Sequence, residues 1–155
     1  MSGDTRITTL DRHDRRVEAG GWPEIEPFRA EIDAAFAALS AENPHVFNGR
    51  VYLLRHHAIA DGVLAGTCFE TDFAAFNWWR RRGIDDLGVK NIFAFAATEG
   101  ADGAFVMGVM GDHTAAAGRI YFAGGTPDPQ DVHAGRLDLR GSAMREMTEE
   151  TGLSA

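Results

Sequence analysis

Arg145-Glu146-Met147-Thr148-Glu149-Glu150-Thr151-Gly152-Leu153 is the stretch on which the reading of this chain turns. A helix is expected from near Asp138 to Glu150 or Thr151, closed by Gly152 in the left-handed conformation that glycine adopts without strain. On that helix Glu146, Glu149 and Glu150 stand at i, i+3 and i+4 and share one face within a single turn. Like charges at this spacing repel, and the helix macrodipole disfavours anions in the second half of a helix. Something must offset that cost. A hard cation does so, because Mg²⁺ prefers oxygen ligands and is held by a few carboxylates plus substrate phosphate. Arg145 offsets part of it too. On charge alone the plainer reading, a solvated glutamate-rich face, stands ahead of a metal site.

What precedes the helix changes that weighing. Arg119-Ile120-Tyr121-Phe122-Ala123 reads as a strand ending at Gly124-Gly125, followed by a loop rich in Pro and Asp over 126–135. Strand, Gly pair, loop and acidic helix in that order resemble the Nudix family, whose signature is G-x5-E-x7-R-E-U-x-E-E-x-G-U with U a bulky aliphatic residue. Residues 145–153 fill every fixed position of its second half. The first half departs from it. Leu137 stands eight residues before Arg145, where the signature has Glu; Asp138 beside it suits an N-cap instead. The interval from Gly125 to Leu137 is six residues longer than the signature allows, so the 126–135 loop reads as an insertion, and Ala123 stands where many members have proline. The resemblance covers residues 89–155. In the family, further strands and a helix follow the signature, whereas here Ala155 is two residues past Leu153. Residues 89–155 are therefore expected to be incomplete, or completed by elements from 1–88.

The resemblance implies an α/β (α+β) fold: a mixed sheet with flanking helices over 89–155, preceded by an α+β extension over 1–88. It implies Mg²⁺-dependent hydrolysis of the diphosphate linkage in a nucleoside diphosphate derivative, such as a nucleotide sugar, with Mn²⁺ as a substitute ion. Glu146, Glu149, Glu150 and the carbonyl of Gly124 would hold the metal. Arg145 would orient a neighbouring glutamate, and Glu149 or Glu146 would help deprotonate the attacking water. The partner is then a small nucleotide, and a homodimer is consistent with family habit. Two other readings stand beside this one: a non-catalytic nucleotide-binding or regulatory protein on the same scaffold, and an inactive truncated product.

Composition agrees with an ordinary folded protein. Of 155 residues, 45% are hydrophobic and 25% charged, with ten Phe and three Trp to build a core. A net charge of −8 argues against duplex nucleic acid as a partner. Cys68 is the only cysteine, so no intramolecular disulfide forms. No apolar run is long enough to span a membrane, and the N-terminus lacks the apolar core of a signal peptide. A cytoplasmic protein is the expectation.

Upstream, 1–21 reads as a loose entry. A helix is expected over 24–41, with Phe28, Ile32, Ala35, Phe36 and Leu39 as its apolar stripe. Strands are expected over 51–54 and 63–69 with a turn at Asp61-Gly62, then a helix capped by Thr71 and closed by Gly83. The segment 91–97 and its hairpin partner 104–110, joined by Asp102-Gly103, follow a boundary placed between 83 and 90. The phenylalanine-rich run 92–95 reads as core. His56 and His57 are adjacent on a strand and point to opposite faces, so they make poor joint ligands. His113 lies in the loop before the Gly-Gly strand and is a candidate for substrate contact. Trp78-Trp79-Arg80-Arg81-Arg82 reads as a solvated helix end, where cations suit the dipole.

Overall fold

Within the segment 1–21, expected to form a loose entry, residues 12–18 are a strand. In the computed structural model, which describes residues 6–83, 87–111 and 118–153, β1 (Arg12–Glu18) lies inside a six-stranded sheet. Its sequence offers one large apolar side chain, Val17, and no apolar alternation. Its neighbours recruit it: it runs parallel to β3 from Arg12↔Val63 to Glu18↔Phe69, and antiparallel to β10 at Arg16↔Arg136. Arg15 is consequently buried, 2% exposed, with Nε and Nη2 lacking a hydrogen-bond partner among the described residues.

After β1 comes a 3-10 turn, Pro23–Phe28, and then α1 (Arg29–Glu42). The helix expected over 24–41 is split because Pro27 supplies no backbone N–H, so regular α geometry starts beyond it. Ile25 and Ile32 face inward and are fully buried. β2 (Arg50–Ala60) and β3 (Val63–Asp72) form a long antiparallel hairpin. Its turn, Asp61 at φ 49° and Gly62 at φ 71°, has the two positive φ angles that match strand twist. α2 (Phe73–Arg82) follows at once, closed by Gly83 at φ 62°. Its N-cap is Asp72 rather than Thr71, since the Asp72 carboxylate accepts from the Ala75 N–H at 2.9 Å.

The remaining strands are short: β4 (Lys90–Asn91), β5 (Ala94–Ala96), β6 (Gly108–Val109), β7 (Ile120–Tyr121), β8 (Ala123–Gly125), β9 (Val132–His133) and β10 (Arg136–Leu137), before α3 (Leu139–Thr151). The large sheet has the order β4-β2-β3-β1-β10-β9, while β5-β8 and β6-β7 are separate pairs. The fold is thus α+β, with a mixed sheet. That sheet crosses the boundary expected between 83 and 90, since β1 bonds to β10 and β2 to β4. The hairpin expected over 91–110 is reduced to its tip, with Gly103 N–H donating to Gly100 O and a bridge at Glu99↔Phe105. Beyond the tip its two arms take other partners, β8 for β5 and β7 for β6.

The run Val51-Tyr52-Leu53-Leu54 is buried on both faces, as a central strand covered on either side should be. Val51 and Leu53 point to the side of α1 and α2, joining Phe69, Ile32, Phe76 and Trp79. Trp22 closes that core, edge-on to Phe69 at 5.9 Å and to Trp79 at 5.8 Å. Tyr52 and Leu54 point the other way, to Cys68, Ile92, Leu137 and Leu139. Burial pushes the Cys68 thiol up to about 11, so it stays protonated and unreactive. Among the described residues no helix is long and apolar enough to cross a membrane.

Candidate functional site

The site grows from β8. Gly124 holds φ at 151°, and a Cβ there would run into the Ala94 carbonyl and lie 2.7 Å from the Phe95 ring. Only glycine permits β5 to come this close. α3 packs across this pair with Ala143 and Met147 buried, and the Thr98 hydroxyl sits 3.2 Å from the Met147 sulfur. With β8 so close beneath it, α3 sets its acidic face against the glycines. The Glu146 carboxylate lies 3.6 Å from where a Gly125 side chain would begin. Glu150 Oε2 accepts from the Gly124 N–H at 3.3 Å. Asp138 caps the helix, accepting from the Gly141 N–H at 2.9 Å, and Gly152 closes it at φ 71°, both as the sequence predicts.

Arg145 is the hub. Its Nη2 reaches Asp131 Oδ1 at 3.1 Å and Oδ2 at 3.2 Å, and its Nη1 reaches Glu146 at 3.0 Å and Glu149 at 3.3 Å. Burial alone would lower its pKa, but the hydrogen bonds it donates to Asp131 and the charges of Asp131, Glu146 and Asp128 raise it instead. Asp131 is 3% exposed and was not singled out by its sequence position. A local signal was available: Asp128-Pro129-Gln130-Asp131 has the spacing of a reciprocal capping box with proline in the first turn. That box forms on the 3-10 turn Pro129–Asp131, where Asp128 N–H donates to Asp131 Oδ2 at 3.0 Å and Gln130 N–H to Asp128 Oδ1 at 2.7 Å.

Electrostatics mark Glu146. Burial pushes its carboxyl above the usual range; Arg145 opposes this, while Glu150, Glu149 and Asp131 push it further up. Three carboxylates on one face therefore repel one another here. They do not converge: among the described residues no group of three or more His, Cys, Asp or Glu is arranged to hold a metal ion. The reason is visible in the pairing, since Arg145 draws Glu146 and Glu149 to one nitrogen while Glu150 turns to the Gly124 N–H.

The other sequence candidates fall elsewhere. Leu137 is 3% exposed and belongs to the core, which explains the lack of a carboxylate there. His113 lies outside the described residues. His56 and His57 are exposed near the tip of the β2–β3 hairpin, far along the chain from any glutamate of the cluster. The phenylalanine-rich run is not core throughout: Ile92 is buried, but Phe93 is 47% and Phe95 43% exposed. These strands are too short and too loosely covered to enclose both ring rows. Tyr121 stands between Phe95 and the acidic cluster. Burial raises its pKa first and Glu150 adds to this, against Arg119 and Arg80. No protein-family model matches the chain, and a search of curated proteins returns no match.

Proposed function

We propose that this chain is a Nudix-type hydrolase that cleaves the diphosphate bridge of a nucleoside diphosphate derivative with the help of Mg²⁺ or Mn²⁺. The observation that carries the reading is the seating of α3 on the Gly124-Gly125 strand, with Glu146 opposite Gly125 and Glu150 at the Gly124 N–H. Spacing adds support. Asp131 follows Gly125 with five residues between them, the interval the signature gives its first acidic position, and its carboxylate holds the signature arginine. The six extra residues are then 132–137, the β9–β10 hairpin, rather than the loop before it. On this alignment Asp131, and not Leu137, takes the place of the first glutamate.

The donor set suits a hard cation in chemistry: three mutually repelling carboxylates and a backbone carbonyl, all oxygen. Glu146, Glu149, Glu150 and the Gly124 carbonyl would hold the ion, which when bound neutralises a diphosphate and acidifies water. The rest is the chain's own work. Asp131 keeps Arg145 anchored while its second nitrogen releases Glu146 and Glu149 for duty as ligand or proton acceptor. Glu149 is the most exposed of the carboxylates that Arg145 holds and can take a proton from an approaching water. Water adds to one phosphorus, the bridging P–O bond breaks, and two phosphate monoesters leave. A cytoplasmic setting, where such nucleotides and a reduced Cys68 belong, is part of the proposal.

The test is turnover across nucleoside diphosphate sugars, ADP-ribose, dinucleotides and nucleoside triphosphates, each with Mg²⁺, with Mn²⁺ and with chelator. Release of a nucleoside monophosphate that stops in chelator supports the reading. Tight nucleotide binding without turnover would move the chain to the non-catalytic reading.

A further inference from the structure

The exposed rings of Phe93, just ahead of β5, and Phe95, on it, do not stand alone. Phe93 and Phe95 lie with centroids 5.0 Å apart, and Phe95 and Tyr121 5.7 Å apart, forming one aromatic wall. This wall lines an open cleft of about 310 Å³ whose lining also includes Arg80, from the last turn of α2, and Arg119, just ahead of β7. The floor is the Gly124-Gly125 strand. Neither arginine pairs with a carboxylate among the described residues, whereas Arg29, Arg50, Arg55, Arg82, Arg136 and Arg145 all do. The Arg80 guanidinium instead lies over the Phe76 ring at 5.3 Å, which holds the side chain at the cleft.

Tyr121 also lines a second cavity, of about 340 Å³, together with Glu149 and Glu150. One tyrosine thus separates a basic aromatic cleft from the acidic face of α3, and Gly125 borders both the cleft and Glu146. Large rings partly in water, beside two guanidiniums that pair with no carboxylate among the described residues, match the two needs of a nucleotide: flat apolar faces for a base and forked donors for phosphate. The cavity is of the size that small-molecule sites begin at.

We infer that the Arg80/Arg119 cleft seats the nucleoside monophosphate half of the substrate, with the base on Phe93, Phe95 and Tyr121 and the phosphate between the two guanidiniums. The identity of the bond cleaved rests on the hydrolase reading above; the seating of a nucleotide does not. A consequence is that α2, which lies outside the region carrying the family resemblance, contributes a specificity residue to the site. The diphosphate bridge then leaves the cleft across Gly124-Gly125, toward Glu146 and Glu150.

The experiment is equilibrium titration of the full chain in chelator with AMP, GMP, CMP and UMP, the corresponding nucleosides, and ribose 5-phosphate. At least one nucleotide binds, and both its nucleoside and ribose 5-phosphate bind at least about tenfold more weakly. Arg80→Gln and Arg119→Gln each weaken that nucleotide about tenfold and leave the nucleoside unchanged. Phe95→Ala weakens nucleotide and nucleoside alike. Arg81→Gln, one residue along the same exposed helix end and outside the cleft, has no effect. The inference is overturned if none of the four nucleotides binds, if Arg81→Gln matches Arg80→Gln, or if both cleft arginine variants bind as the native chain does. Because no metal is present, a chain that binds nucleotides through these arginines but never turns over with Mg²⁺ would refute the hydrolase reading alone. Turnover whose KM ignores both arginines would refute the cleft alone.

Discussion

The β2–β3 hairpin and the β5–β8 pair are both antiparallel and both rich in apolar residues, yet they end in opposite states. Val51 to Leu54 are buried on both faces, with helices on one side and β10 and the start of α3 on the other. Phe93, Phe95, Phe105, Val109 and Ile120, on or beside the short strands, stay exposed. Length and cover separate them: ten or eleven residues of pairing in one case, two or three in the other. A strand pair too short to build its own core can still be held rigidly by a helix across it, and α3 does this with Ala143 and Met147. The first region is where stability resides; the second presents the candidate site.

The sharpest way to break the contrast is Phe69→Ala, which removes a fully buried β3 ring that packs against Trp22. About 3–5 kcal/mol of unfolding free energy should be lost in urea titrations. Arg15→Met tests the one buried cation of the same sheet, whose burial pulls its pKa down. Replacing a buried guanidinium whose Nε and Nη2 lack hydrogen-bond partners among the described residues with an apolar chain should raise stability by about 1–3 kcal/mol. Asp131→Asn is the matching change in the second region. It strips the anchor from Arg145 and should cost about 1–3 kcal/mol, together with any Mg²⁺-dependent turnover.

Asp72→Ala comes next, at about 1 kcal/mol, through loss of the α2 cap. Here pH sharpens the comparison. Burial alone would raise the Asp72 carboxyl, but the Ala75 N–H and Arg29 outweigh it and hold it below 3.8. A carboxylate with a depressed folded pKa stabilises fully above its unfolded value. The gap between native and variant chains should therefore be full at neutral pH and close as pH falls below about 3.8. Chemical denaturation at pH 7 and pH 3 reads it directly. Phe95→Ala should move stability least, within about 0.5 kcal/mol, because its ring already faces water. A loss as large as that of Phe69→Ala would erase the distinction between the two regions.

The sequence carried the second half of the site well because its signals are local. The i, i+3, i+4 glutamates, the Asp138 cap and the Gly152 stop all depend on helix geometry within a few residues. Gly124 was marked by the Gly pair, although its requirement, a close approach by Ala94, comes from a strand about thirty residues upstream. β1 was invisible because its pattern is charged, and only pairing to β3 and β10 makes it a strand. Asp131 does not stand out in the sequence, because the signature's spacing back from Arg145 falls on Leu137. The β9–β10 hairpin displaces that count, and no periodicity announces a pair of two-residue strands. Phe93 and Phe95 read as core because composition reports hydrophobicity but not whether enough chain packs over it.

The measurement closest to the central claim is ³¹P NMR of the native chain and Glu150→Gln, each with Mg²⁺ and a nucleoside diphosphate sugar or ADP-ribose. Glu150 accepts from Gly124 on the exposed face of α3, so its replacement by glutamine leaves the packing intact. The account predicts that the native chain converts the diphosphate resonances to two phosphate monoester signals, while the variant, folded to the same melting temperature within a few degrees, converts at least about a hundredfold more slowly. Equal turnover by the two chains would contradict it.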